Sequence, residues 1–174
     1  SVPDLPEASQ PSGQCGEQAD PLKVIAIGES TVAGVGVATH EQGLTGHFAR
    51  RLRELTGRSV QWNVYARSGY TAGRAASGLI PRIPQQPVDL VLIGLGGNDA
   101  FELRSPERCV RDTLAAVEAV HKRLGPVPTL LANLPPIQDF PAFTHLIRRV
   151  MGGLIGLYGA HQHRAPQRLP RVEF

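Results

Sequence analysis

Three residues with chemical potential stand just past three apolar runs. Ser30 follows Leu22–Ile27, Gly69 follows Val60–Ala66, and Asn98 follows Asp89–Leu95. Serine offers a nucleophilic hydroxyl, glycine an unhindered backbone N–H, and asparagine a carboxamide donor. A nucleophile surrounded by N–H donors is what acyl transfer requires, because the donors stabilise the oxyanion that forms. Each residue also has a plainer reading. Ser30 can be a turn former or a helix cap, Gly69 a turn glycine, and Asn98 part of a Gly96-Gly97-Asn98-Asp99 turn. Asp99 reads as a structural carboxylate bonding local amides rather than as an acid–base catalyst.

Whether these residues meet depends on the elements that carry them. Leu22–Ile27 is a short apolar run stopped by Gly28, the pattern of a buried strand. Thr39-His40-Glu41-Gln42 has the form of a capping box. Leu44, Phe48, Leu52 and Leu55 follow at helical spacing, and Gly57 closes that helix. "VQWNVYA" over 60–66 alternates as a second strand. A short helix after "RSGYTAG" is closed by Pro81 and Pro84. "DLVLIGL" over 89–95 is a third strand. Ser105-Pro106-Glu107 starts a helix, with serine at the N-cap and proline at the first helical position. Val110, Leu114, Val117, Val120 and Leu124 give it an apolar face. "VPTLLANL" over 127–134 is a fourth strand, stopped by Pro135-Pro136. Phe143, Leu146, Ile147, Val150, Met151, Leu154 and Leu157 mark a last helix, and "RVEF" opens a fifth strand.

Strands alternating with helices imply an α/β fold: an open parallel sheet with helices on both faces. In such sheets the working residues lie just beyond the carboxyl ends of the strands. Ser30, Gly69, Asn98 and Asn133 all occupy such ends, so the expected site is one crevice fed by several strands.

The 174 residues suit one domain with a real core. Residues 1–21, rich in Pro, Gly, Ser and acids, read as an extended lead-in, and 22–174 as the folded domain. Hydrophobic residues at 41% and charged residues at 19% exclude wholesale disorder. The net charge of +3 is scattered over the chain, without a basic stripe or interleaved aromatics, so nucleic acid is not an expected partner. No run reaches the ~20 apolar residues of a transmembrane helix. Ser1 in place of Met points to a trimmed or processed start, and no signal peptide is visible, so the compartment stays open. Cys15 and Cys109 do not form a disulfide framework. The Gly34-Val35-Gly36 stretch lacks the lysine and spacing of a phosphate loop. Gly28-Glu29-Ser30-Thr31-Val32 lacks the second glycine of a nucleophile elbow. Trp62, Tyr65 and Tyr70 read as packing or pocket lining. No cofactor or metal is expected. His161-x-His163 is poor metal spacing on a helix, since i and i+2 do not share a face.

The ordered blocks resemble the SGNH branch of the GDSL hydrolases. "IGESTVAGVGV" is similar to the first block, "ARSGYTAG" to the second, "GLGGND" to the third, and "LPPIQDFPAF" to the segment after the fourth strand in bacterial esterases. The resemblance runs from about Pro21 to Phe174. It implies a flavodoxin-like three-layer sandwich with parallel strand order 2-1-3-4-5, breaking off at a short fifth strand. It also implies a carboxylic ester hydrolase in the esterase, lipase or thioesterase range, acting on a small-molecule ester or acyl substrate. Ser30 would be the nucleophile. The N–H groups of Ser30 and Gly69 and the side-chain amide of Asn98 would form the oxyanion hole. Carbohydrate deacetylation and a catalytically incomplete binding module stay open as alternatives.

Two departures follow from the same resemblance. Glu29 stands where the family usually has aspartate, a longer arm that still reaches backbone groups around the turn. The family's last block, Asp-x-x-His after the fifth strand, has no counterpart before Phe174. The 174-residue chain alone is therefore expected to be nearly inactive, with a C-terminal fragment or a swapped neighbour completing the site. His40, His47, His121, His145, His161 and His163 read as surface or helix-flank residues, with His145 the first candidate for a substitute base.

Overall fold

Leu22–Gly28 forms β2, and from Val24 onward every residue is buried. That pattern belongs to a central strand covered on both faces. In the computed structural model, which describes residues 5–134, 145–163 and 171–173, β2 pairs in parallel with β3 (Val60–Ala66) on one side and β4 (Leu90–Gly94) on the other. β5 (Thr129–Leu131) and β6 (Val172–Glu173) continue the parallel sheet beyond β4. These five strands have the expected order.

A sixth strand, β1 (Ser12–Cys15), lies within the first 21 residues and pairs antiparallel with the free edge of β3. The full order is β1-β3-β2-β4-β5-β6. Gly13 sits opposite Trp62, and a Cβ there would collide with the indole. The missing side chain lets the ring lie across the edge strand.

Helices cover both faces. On one, α1 (Leu44–Thr56) brings Ala49, with Phe48 and Leu52, against Val24, Ala26, Val60, Trp62 and Val64. On the other, α2 (Ala72–Gly78), a 3₁₀ turn at Ile80–Arg82 and α4 (Pro106–Leu124) bury Ile25, Ile27, Val91 and Ile93. Each fully buried Ile or Val contributes roughly 1.5–3 kcal/mol. A five-residue helix, α3 (Gly97–Phe101), follows β4. Here α5 (His145–Gln162) packs Met151, Ile155 and Tyr158 against Ala100, Cys109 and Leu134.

Local signals acted as read at two helix ends. Ser105 accepts the Arg108 N–H at 3.2 Å, and Gly57 closes α1 in the left-handed conformation with its N–H on Arg53 O. Elsewhere the reading needs correction. The capping box at 39–42 does not start α1, whose N-cap is Gly43. Thr39 is held in a bridge to Ser9, and Gln42 N–H closes a turn on Thr39 O. The face α4 buries is Cys109, Thr113, Ala116, Val117 and Val120, with Val110 and Leu114 only half-buried. Small side chains on that face let the helix sit close to the sheet. On α5, Leu157 is exposed and Ile155 and Tyr158 are buried instead. Phe143, Pro135 and Pro136 lie outside the described residues, as do the side chains of residues 145–150.

Candidate active site

The chain leaves β2 for β3 on one side and returns to β4 on the other. The strand order therefore reverses at β2, and the crevice of such a sheet opens beyond the carboxyl ends there. Gly28, the last residue of β2, is in register with Ala66 of β3 and Gly94 of β4. With strands about 4.8 Å apart, the segments beginning at Glu29, Arg67 and Leu95 start side by side.

Ser30 lies in a tight turn directly after β2. Ala33 N–H bonds Glu29 O at 2.7 Å and Val35 N–H bonds Ser30 O at 3.0 Å. Val32 folds back over the strand ends. A Cβ on Gly28 would strike its side chain and come within 2.6 Å of Gly94 O, and a Cβ on Gly94 would meet Val32 Cγ2 at 2.7 Å. Two glycines thus let the turn close down on the sheet. Ser30 is half-buried, and neither its N–H nor its hydroxyl bonds another described residue.

Gly69 is exposed in the loop after β3, with φ +77°, a conformation that favours glycine. Arg67 N–H donates to Gly28 O at 3.1 Å, tying this loop to the end of β2. Asn98 is the second residue of α3, and its Nδ2 donates to Tyr70 O at 3.0 Å. The loop of Gly69 and the side chain of Asn98 are therefore directly bonded.

Two buried carboxylates lock these parts together. Glu29 Oε1 accepts the Gly97 N–H at 2.7 Å, and Oε2 accepts the Asn98 N–H at 3.0 Å. Burial raises the Glu29 pKa to about 7, against the opposing pull of those two N–H groups, and the neighbouring Asp99 adds to the rise. Asp99 Oδ2 accepts the Ala72 N–H at 2.8 Å, and Arg104 stands 4.0 Å from Oδ1. Burial raises its pKa as well. Asp99 thus bonds an amide on α2, distant in sequence, rather than a local one.

Beside the turn, a cavity of about 160 Å³ is lined by Thr31, Val32, Leu44, Leu95 and Leu134, with Glu29 at its wall. The lining is largely apolar. Of the aromatics, Trp62 is buried beneath α1, and Tyr65 and Tyr70 pack against the opposite core.

No described histidine is hydrogen-bonded to Ser30, and His47 is exposed. His40 is buried rather than exposed, flanks α1, and burial lowers its pKa. His121 Nε2 lies 3.1 Å from Val127 O and 3.2 Å from Thr129 Oγ1. His161 Nδ1 lies 2.9 Å from Leu157 O. The side chain of His145 is outside the described residues. Cys15 and Cys109 lie on β1 and α4 and form no disulfide. Among the described residues, no three His, Cys, Asp or Glu side chains cluster as metal ligands, and no helix is long and apolar enough to cross a membrane.

Residues 26–169 match the GDSL-like lipase/acylhydrolase family. The chain belongs to that family. The fold agrees with solved GDSL and SGNH structures. The lipase Lip_vut3 from a goat rumen metagenome is 19% identical with a TM-score of 0.66, over 87% of this chain and 79% of that one. The psychrotrophic esterase EstA from a Pseudoalteromonas species is 17% identical with a TM-score of 0.62, over 87% and 75%. AlinE4, an SGNH-hydrolase family esterase, is 20% identical with a TM-score of 0.57, over 84% and 75%. Among curated proteins, none matches the sequence. For a GDSL-family chain, the least foreseen parts of this site are the carboxylate clamps and the Tyr70 carbonyl. The Gly-Gly-Asn-Asp run was a signal for a turn, but its partners at 29, 70 and 72 are too far away in sequence to be paired from it.

Proposed function

We propose that this protein hydrolyses carboxylic esters through an acyl-enzyme on Ser30. Ser30 Oγ attacks the acyl carbon while a base takes its proton. The carbonyl oxygen becomes an oxyanion held by the N–H groups of Ser30 and Gly69 and by one N–H of Asn98 Nδ2, whose other N–H serves Tyr70 O. The alcohol leaves with the proton, and water then releases the acid by the reverse sequence. The base is a histidine held by an aspartate, supplied from outside the described residues.

The observation that carries this reading is the bond between Asn98 Nδ2 and Tyr70 O. It fixes a carboxamide donor to the loop of Gly69, whose own end is tied to β2 just before Ser30. Preorganised donors of this kind need no rearrangement as charge develops. The 160 Å³ apolar cavity walled by Thr31 and Val32, the two residues after Ser30, is about the size of one that holds benzene, and as an acyl pocket it favours a short acyl group. The test is p-nitrophenyl acetate hydrolysis by the encoded protein and its Ser30→Ala variant, with covalent labelling by a fluorophosphonate. Activity and labelling that both vanish in Ser30→Ala support the assignment, and hydrolysis that persists removes it.

A further inference from the structure

Glu29 invites a question that the acyl-enzyme scheme does not answer. It is 6% exposed, yet both of its carboxylate oxygens are occupied, and by consecutive N–H groups 68 and 69 residues away. We infer that Glu29 is a positioning residue: in its ionised form it clamps the Gly97 and Asn98 amides and so sets the height and rotation of the Asn98 donor beside Ser30. The inference rests on the ester-hydrolase reading for what Asn98 does, but the clamp is a property of the fold.

Three features support it. First, the contact is two-pronged, so it fixes an orientation as well as a distance. One hydrogen bond would leave α3 free to pivot, and two to adjacent amides do not. Second, the clamp demands Gly97. A Cβ there would stand 2.6 Å from Glu29 Oε1, the oxygen that accepts the Gly97 N–H. Third, Asn98 is then held from both sides, its backbone by Glu29 and its side chain by Tyr70 O.

Protonation breaks the symmetry of this arrangement. A neutral carboxyl carries a hydrogen on one oxygen, and an O–H cannot also accept an N–H along the same direction. One of the two bonds must weaken. Burial places the Glu29 pKa at about 7, so the change falls in the neutral range. Asp99 on α3 is the charged group that bears on it and raises the pKa further. Of the described residues that line the cavity beside it, Thr31 and Val32 of the turn, Leu44 of α1, Leu95 after β4, and Asn133 and Leu134 after β5 carry no charge. The histidine of the proposed triad would titrate in the same range, so activity alone does not separate the two.

The deciding measurement is a ¹⁵N–¹H titration of the encoded protein from pH 5 to 9. The Gly97 and Asn98 backbone amides should shift together with one midpoint near 7. In Glu29→Gln that shared transition should be absent, kcat for p-nitrophenyl acetate at pH 8 should fall at least tenfold, and KM should change little. Glu29→Asp, which keeps the charge on a shorter arm, should recover part of kcat. Amides that do not titrate in the wild-type protein, or that titrate identically in Glu29→Gln, overturn the clamp, as does full kcat in Glu29→Gln. The wild-type titration needs no variant to fold. Undiminished hydrolysis by Ser30→Ala would instead bring down the acyl-enzyme reading on Ser30, and with it the oxyanion role of the clamp, while the amides would still titrate.

Discussion

Replacing Glu29 by glutamine should change how stability depends on pH, with a sign opposite to that of ordinary surface carboxylates. The Glu29 pKa rises from 4.5 to about 7 on folding, chiefly through burial. Between those values the folded chain holds the proton and the unfolded chain does not. The stabilisation that Glu29 contributes is therefore complete below pH 4.5 and is lost as pH rises through about 7. The gap, at about 1.4 kcal/mol per pH decade, amounts to about 3 kcal/mol, most of it lost between pH 5 and pH 8. Glutamine has no proton to lose and should remove that slope. Asp99, also raised by burial, slopes the same way and is present in both proteins, so apart from its coupling to Glu29 it cancels in their difference. Urea unfolding at pH 5 and pH 8 gives the test. Relative to wild type, Glu29→Gln should gain about 2–3 kcal/mol on going from pH 5 to pH 8, a midpoint displacement of roughly 1–2 M urea. Wild-type and variant stabilities that run parallel across this range would refute the reasoning.

Four further outcomes are expected. Asn98→Ala should lower kcat by about 10²–10³, the loss typical of one oxyanion donor, with folding intact by circular dichroism. Gly97→Ala should mimic loss of the Glu29 clamp, since its Cβ would press on Oε1, and its kcat should fall at least tenfold in the same esterase assay. Asp99→Ala should destabilise the protein by about 1–3 kcal/mol in urea unfolding, because the Ala72 N–H loses its buried acceptor. Ala132→Leu, at the wall of the 160 Å³ cavity, should lower kcat/KM for p-nitrophenyl butyrate more than for the acetate, and the wild-type protein should prefer both to the palmitate.

The parts of this molecule that could be read from sequence are those whose causes are local. The alternation of β3, the apolar run of β2, Ser105-Pro106 at the start of α4 and Gly57 at the end of α1 all act within a few residues. That Ser30, Gly69 and Asn98 follow strand ends was legible for a related reason, since a polar or glycine residue just after a buried strand stands out. What escaped was non-local. β1 has the sequence Ser-Gly-Gln-Cys and no apolar alternation, and becomes a strand because β3 offers an open edge and Trp62 covers Gly13. The Thr39–Gln42 pattern satisfied the rule for a cap, but the backbone at Thr39 pairs with Ser9 and the helix starts only after Gly43. The helix α3 begins at two glycines, poor formers, because a carboxylate 68 residues earlier takes its first amide.

The site is thus built less from reactive side chains than from backbone groups held by buried acceptors. Glu29 takes two amides of α3, Asp99 takes one of α2, and Tyr70 O takes the Asn98 side chain. Three glycines, at 28, 94 and 97, give the close approaches that make this possible. The arrangement is costly to the fold, because an ionised Glu29 sits where burial disfavours its charge. The form of Glu29 that holds Asn98 with both oxygens is the minor one below pH about 7 and the major one above it. Stability and activity should therefore move in opposite directions as pH rises from 5 to 8, with the fold weakening while the donor becomes better held. Strain of this kind persists at functional sites when the surrounding structure over-determines it. Here the core strands β2 and β4, whose ends carry the two halves of the clamp and which are buried over Val24–Gly28 and Val91–Ile93, supply that surplus.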